Sequence, residues 1–221
     1  MTISSPPVRT CLLFALSWMP AISQAVTYTV TLDTRPLAAL ATPPGPFALE
    51  FQFNDGGGGV SNTVTLSNFN FGPGGAASGS AITTGGVSGS LSNTVTLTDS
   101  AFFNEFIQGF TPSSTAPLSF VLDLTTQLEP ITPDTFSLAI FDSSGTGIQT
   151  SFFDVFLQID ITESPSIKTF ASDPNTPPPG CPTCAPIVIA APVVPVPVPA
   201  PIVLFLSGLS WLLCGARGNK R

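Results

Sequence analysis

The chain has 221 residues, 43% of them hydrophobic and only 9% charged, which is not the balance of a disordered acidic tail. It contains no histidine, so His-based triads, zincin sites and imidazole acid/base chemistry are excluded. Between the terminal apolar runs only Arg35 and Lys168 face all 13 acidic residues, leaving two minus thirteen, or −11, a field that repels phosphate backbones and argues against nucleic acid as a partner.

Residues 1–25 read as a secretory signal helix. Arg9 precedes an apolar run too short to span a bilayer comfortably, Pro20 breaks it, and Ser23-Gln24-Ala25 offers the small residues that a signal peptidase reads. Cleavage after Ala25 starts the mature chain at Val26, inside a strand pattern. The expected product is an exported protein.

From 26 to 165 the chain reads as one all-β domain, an antiparallel β-sandwich of jelly-roll type with a phenylalanine core, since most of the chain's 18 phenylalanines lie there. Period-two alternation with Gly, Pro, Asn and Asp between the runs predicts strands over 26–32, 47–53, 63–71, 87–97, 118–124, 135–141 and 153–161. Phe47, Leu49, Phe51 and Phe53 fall on one face of their strand, with Ala48, Glu50 and Gln52 on the other. The stretch 100–110 breaks this rhythm: Phe102, Phe103, Phe106 and Phe110 recur at helical spacing, predicting one short helix, with a bulged strand as the alternative. Ser-Asn-Thr-Val-Thr-Leu occurs at 61–66 and again at 92–97, but its flanks do not match over a full period, and a true repeat is not expected.

Two glycine-rich stretches, 54–59 and 72–75, lack the following helix with Lys and Ser or Thr that a phosphate loop needs. Asn54 and Asp55, or Asp142 ahead of Ser143, Ser144 and Gly145, are weak Ca²⁺ candidates, because they place oxygen ligands in turns without the spaced acidic ladder of an EF-hand. No other cofactor is expected. Glycoside cleavage would need paired carboxylates, for which Asp99 with Glu105, or Asp154 with Asp160, can be nominated, but proximity in sequence does not supply the separation across a bond. No catalytic residue is assigned, and the chain is not expected to be an enzyme.

Residues 166–201 read as a Pro-rich linker. Within it Cys181-Pro182-Thr183-Cys184 has the spacing of redox and zinc half-sites; a second ligand pair is missing, and after export Cys181 and Cys184 are expected to close as a small disulfide loop. An apolar helix can begin only after Pro201. Residues 202–216 give about 22 Å at 1.5 Å per residue, short for a transmembrane span, and Arg217, Lys220 and Arg221 form a basic stop that fits a cytoplasmic end.

The run Val196-Pro197-Val198-Pro199-Ala200, followed by Leu204-Phe205, Ser207-Gly208-Leu209 and Ala216-Arg217, closely resembles the PEP-CTERM type of C-terminal sorting domain, in the variant that reads Val-Pro-Leu-Pro-Ala. It departs from the commonest form in lacking the Glu after Pro199 and in breaking the basic run with Gly218 and Asn219. The resemblance implies export in a Gram-negative cell, transient anchoring in the inner membrane and cleavage near the Pro motif by an exosortase, often in bacteria that make extracellular polysaccharide. The body resembles PEP-CTERM exported proteins of unassigned biochemistry through Gly86-Val87-Ser88-Gly89, Phe102-Phe103-Asn104-Glu105-Phe106 and Pro133-Asp134-Thr135-Phe136-Ser137, and that likeness carries no catalytic residue. The expectation is a surface or matrix protein with a structural or ligand-binding role in exopolysaccharide or biofilm. The alternatives are a Ca²⁺-dependent glycan-binding module and a secreted carbohydrate-active enzyme.

Overall fold

The computed structural model describes residues 25–38, 47–57, 61–127, 132–162, 165–170 and 191–193. They form two antiparallel six-stranded sheets of a β-sandwich. The first sheet is ordered β12 (Ala191–Val193), β1 (Ala25–Leu32), β8 (Leu118–Thr125), β3 (Thr63–Asn70), β6 (Val95–Thr98), β5 (Gly86–Gly89). The second is ordered β11 (Ser166–Thr169), β10 (Val155–Asp160), β9 (Thr135–Phe141), β2 (Phe47–Asn54), β7 (Phe103–Thr111), β4 (Ala76–Thr84). The only helix among the described residues is α1, the single turn Arg35–Ala38, entered where Asp33 grips the Arg35 guanidinium through two side-chain hydrogen bonds of 2.8 and 2.7 Å.

Alternation explains the core. Phe47, Leu49, Phe51 and Phe53 of β2 are all buried, and they meet Val30, Leu66, Leu97, Phe120 and Leu122 from the facing sheet. Phe51 sits at the centre, its ring 5.7 to 6.3 Å from those of Phe69, Phe106, Phe120 and Phe136. Burying one such side chain contributes on the order of 1.5–3 kcal/mol, so this phenylalanine stack is the main cohesive element between the sheets.

The stretch 100–110 is not a helix. Phe103–Thr111 is a strand, β7, paired with both β2 and β4. Its buried face carries Asn104, Phe106, Gln108 and Phe110, while Phe102 is 77% exposed. Two polar residues on an inward face conceal period two from a hydrophobicity reading. They are tolerated because their amides are used: Asn104 Nδ2 donates to the Phe53 and Ala101 carbonyls at 3.0 and 2.6 Å, its Oδ1 accepts from Gly86 N at 2.8 Å, and Gln108 bridges Leu91 N and the Gly79 carbonyl.

Three further differences are local. The expected strand 87–97 is the hairpin β5–β6, closed by Ser90 and Thr94 after Gly89 takes φ +106°. Edge strand β4, with its small polar residues, shows no alternation to read. The sheets also run past residue 165: β11 and β12 both come from the stretch expected to be linker. The two Ser-Asn-Thr-Val-Thr-Leu segments are antiparallel neighbours, Val64 opposite Leu97 and Leu66 opposite Val95. The signal segment, Cys181, Cys184, the Val196–Ala200 motif and the C-terminal apolar run lie outside the described residues, and no helix among the described residues is long and apolar enough to cross a membrane.

Candidate functional site

The outer face of the second sheet carries a groove of 590 Å³ over β2, β7 and β4. Ala48 and Gly109 line it beside Ile82 and Ile107, and Phe141, Asp142 and Ser143 bound it from the turn after β9. The register between β4 and β7 shifts between Ser78 and Ile82, where Gly79 takes φ +65°, bending the edge strand. Gly109 is required for a packing reason. A Cβ there would lie 2.7 Å from Ser78 Oγ and 3.0 Å from the Ser78 carbonyl, so any larger residue would push β4 away. The lining is thus small residues and hydroxyls below, with two isoleucines to grip an apolar surface; Ile82 is 64% exposed.

Next to the groove lies a carboxyl cluster. Glu50 is opposite Ile107 across the β2–β7 ladder, in mid-strand, yet only 5% exposed. Gln52 Nε2 donates to its Oε1 at 2.7 Å, and Glu105, opposite Gln52, shares a hydrogen bond with it. Burial pushes the Glu50 carboxyl up to about 7, reinforced by that hydrogen bond and by the charges of Glu105 and Asp154, against the opposing effect of Gln52. Asp154 stands against Gly147, where an added Cβ would fall 2.5 Å from its Oδ2. Glu50 therefore keeps its proton up to about neutral pH, hydrogen-bonded to Glu105.

Of the residues nominated from sequence, Asp142 bounds the groove and Glu105 and Asp154 belong to the carboxyl cluster; the others lie elsewhere. Asn54 pairs with Thr135 at one end of β9, and Asp142 follows Phe141 at the other. Asp55 Oδ1 accepts from Gly57 N at 3.0 Å, a turn contact. Asp142 Oδ1 accepts from Ser144 N, Ser144 Oγ and Thr146 N at 2.6 to 2.9 Å; against the effect of burial, these bonds hold its carboxyl below the ordinary range. Among the described residues no group of three or more Cys, Asp or Glu side chains is placed to hold a metal ion. Asp99 does not face Glu105: it accepts from the backbone of Asn62, and burial followed by the charges of Asp134 and Asp55 raises it. Asp160 is ion-paired with Lys168 at 2.7 Å, while Asp154 acts on Glu50.

Glu50, Ile82 and Gly109 carry no sequence signal of their own, since the cluster and the groove exist only once the strands are in register. A further exposed feature adjoins Asp154: the Phe152 ring stacks on Phe170 at 4.8 Å and meets Phe153 edge-on at 5.4 Å, with Phe153 74% exposed and held at φ +56°. Compared with protein families, with curated proteins and with solved structures, the chain finds no match.

Proposed function

We propose that the chain is an exported cell-surface or extracellular-matrix protein that uses the groove beside Ile82 and Ile107 to bind a ligand associated with extracellular polysaccharide. Delivery rests on the terminal sequences: a signal peptidase cuts after Ala25, the inner membrane holds 202–216 transiently, and an exosortase-type enzyme cuts at Val196-Pro197-Val198-Pro199-Ala200 ahead of Arg217, Lys220 and Arg221. A jelly roll is supported by the strand order, in which β1-β8-β3-β6 lies in one sheet and β2-β7-β4 in the other; β5 departs from that pattern by pairing with β6 in the first sheet.

The groove is the observation that carries the binding half of the reading. Hydroxyls and small residues beside the exposed Ile82 and the half-buried Ile107 suit a neutral glycan chain, while the acidic body disfavours a polyanion. The carboxyl pair does not support glycosidase chemistry, because Glu50 and Glu105 hydrogen-bond one another, whereas glycosidase carboxylates stand about 5 Å or more apart.

Two measurements test the two halves. Mass spectrometry of the exported protein should find a C-terminus within or just after Val196–Ala200; a chain intact through Arg221 in cells with a working exosortase would overturn the sorting half. Co-sedimentation with the host's neutral polysaccharide should weaken about tenfold or more on Ile82→Asp, and unchanged binding would remove the groove from the reading. Loss of binding in EDTA would instead favour the Ca²⁺-dependent module.

A further inference from the structure

Among the exposed apolar side chains of the described residues, one is held in a backbone conformation that its residue type avoids. Phe153 is 74% exposed and takes φ +56°, in the left-handed region. A bulky side chain is strained there, where glycine or asparagine is at ease. The turn around it is not loose. Thr150, itself buried, donates from its N to the Phe153 carbonyl at 2.6 Å. Its Oγ1 donates to the Val155 carbonyl at 2.9 Å and accepts from Phe152 N at 3.0 Å, and Val155 N donates to the Phe152 carbonyl at 3.2 Å. The backbone on both sides of Phe153 is thus fixed, and the strained residue is kept with its ring in solvent.

The ring is braced by others. Phe152 meets it edge-on at 5.4 Å, with 71° between the planes, and is itself stacked on Phe170 at 4.8 Å and 21°. Phe170 is placed by its own N–H, which donates to the Phe156 carbonyl at 3.0 Å. None of the three rings belongs to the core that fills the sandwich. Next to them in the chain stand the exposed Ser151 and the partly exposed Asp154, a hydroxyl and a carboxylate. The chemistry of this platform selects its occupant. An aromatic face carries negative charge density and attracts weakly positive C–H bonds, and a pyranose ring offers a row of these on one face with hydroxyls around its edge. A phosphate-bearing surface, in contrast, meets the acidic field of the body, and a second copy of the chain brings the same field with it.

We propose that Phe152 and Phe153 form a sugar-binding site in which a neutral pyranose ring lies on the open face of Phe153 and its hydroxyls bond Ser151 and Asp154. The strain at Phe153 then has a use, since the residues that suit its backbone have no ring to offer. The site is separate from the groove beside Ile82 and Ile107 and does not rest on it.

Saturation-transfer NMR tests this on the full chain carrying Ile82→Asp, which removes the groove from the measurement, with cellohexaose, laminarihexaose and maltohexaose as probes. Irradiating the aromatic protons should pass magnetisation to the sugar C–H protons of at least one probe. Adding Phe153→Asn should weaken that binding about tenfold or more, whereas Phe153→Trp should keep it. The urea midpoint of Phe153→Asn should stay where it is or rise, because asparagine suits the left-handed backbone. The proposal is overturned if no probe receives magnetisation, if Phe153→Asn leaves the transfer undiminished, or if that variant loses stability, which would make the ring a structural element. Binding to phosphatidylcholine vesicles that Phe153→Asn abolishes, with no transfer to any sugar, would overturn it in favour of a lipid surface. None of these failures touches the groove, whose own test is the effect of Ile82→Asp on binding to the polysaccharide.

Discussion

The two faces of β2 carry opposite chemistry on alternate residues of one strand. Inward, Phe47, Leu49, Phe51 and Phe53 are fully dehydrated and surrounded by carbon; outward, Glu50 is nearly as buried but is met by Gln52, Glu105 and Asp154. The inner face gains from burial with nothing left unsatisfied, whereas the outer face holds an acid where no cation neutralises it. Cohesion and responsiveness are thus one residue apart, and substitutions on the two sides should separate them.

The largest effect belongs to the inner face. Phe51 contacts four other aromatic rings and is fully buried, so Phe51→Ala leaves a cavity that the facing strands cannot fill. A loss of about 3–5 kcal/mol is expected in urea unfolding, a large part of a typical domain's stability, with no new dependence on pH.

The outer face should respond to pH instead. A folded-state value of about 7 lies above the ordinary value of 4.5, so the stability that the protonated Glu50 contributes is fully present below about 4.5 and is lost as pH rises through about 7. Asp33, Asp142 and Asp160 are shifted the other way, and their contribution is lost as pH falls below the ordinary Asp value of 3.8. Stability should therefore peak between these limits. Glu50→Gln keeps a neutral polar side chain and should remove the decline on the neutral side, about 1–2 kcal/mol once solvent screening is allowed for. A decline of unchanged size in the variant would show that Glu50 is not its source.

The same contrast decides what could be read from the sequence. β2, β8 and β9 were legible because their inward residues are uniformly apolar and period two stands out. β7 was not, because Asn104 and Gln108 occupy its buried face and leave Phe102, Phe103, Phe106 and Phe110 to imitate a helix. β4 and β12 owe their strand state to partners far along the chain, β7 and β1, rather than to any pattern of their own. Glu50 looked like an ordinary outward acid. Only the register that sets Gln52 opposite Glu105 brings the second carboxyl to it, across a separation of 55 residues that no local signal spans.

The smallest effect is expected farthest out on that face, at the Asp160–Lys168 pair. Lys168 Nζ lies 2.7 Å from Asp160 Oδ2, and the geometry is good, but the lysine side chain is 47% exposed and the carboxylate also accepts from Gln158 and Thr135. Water and salt screen such a pair, and two partners remain when the ammonium is removed. Lys168→Met, which keeps the aliphatic stem over β10, should change stability by less than about 0.5 kcal/mol, and that change should vanish in about 0.5 M salt. A loss several times larger that persists in salt would mean that the edge strand β11 depends on its charge, and that the outer face is held together by more than the carboxyl cluster at its centre.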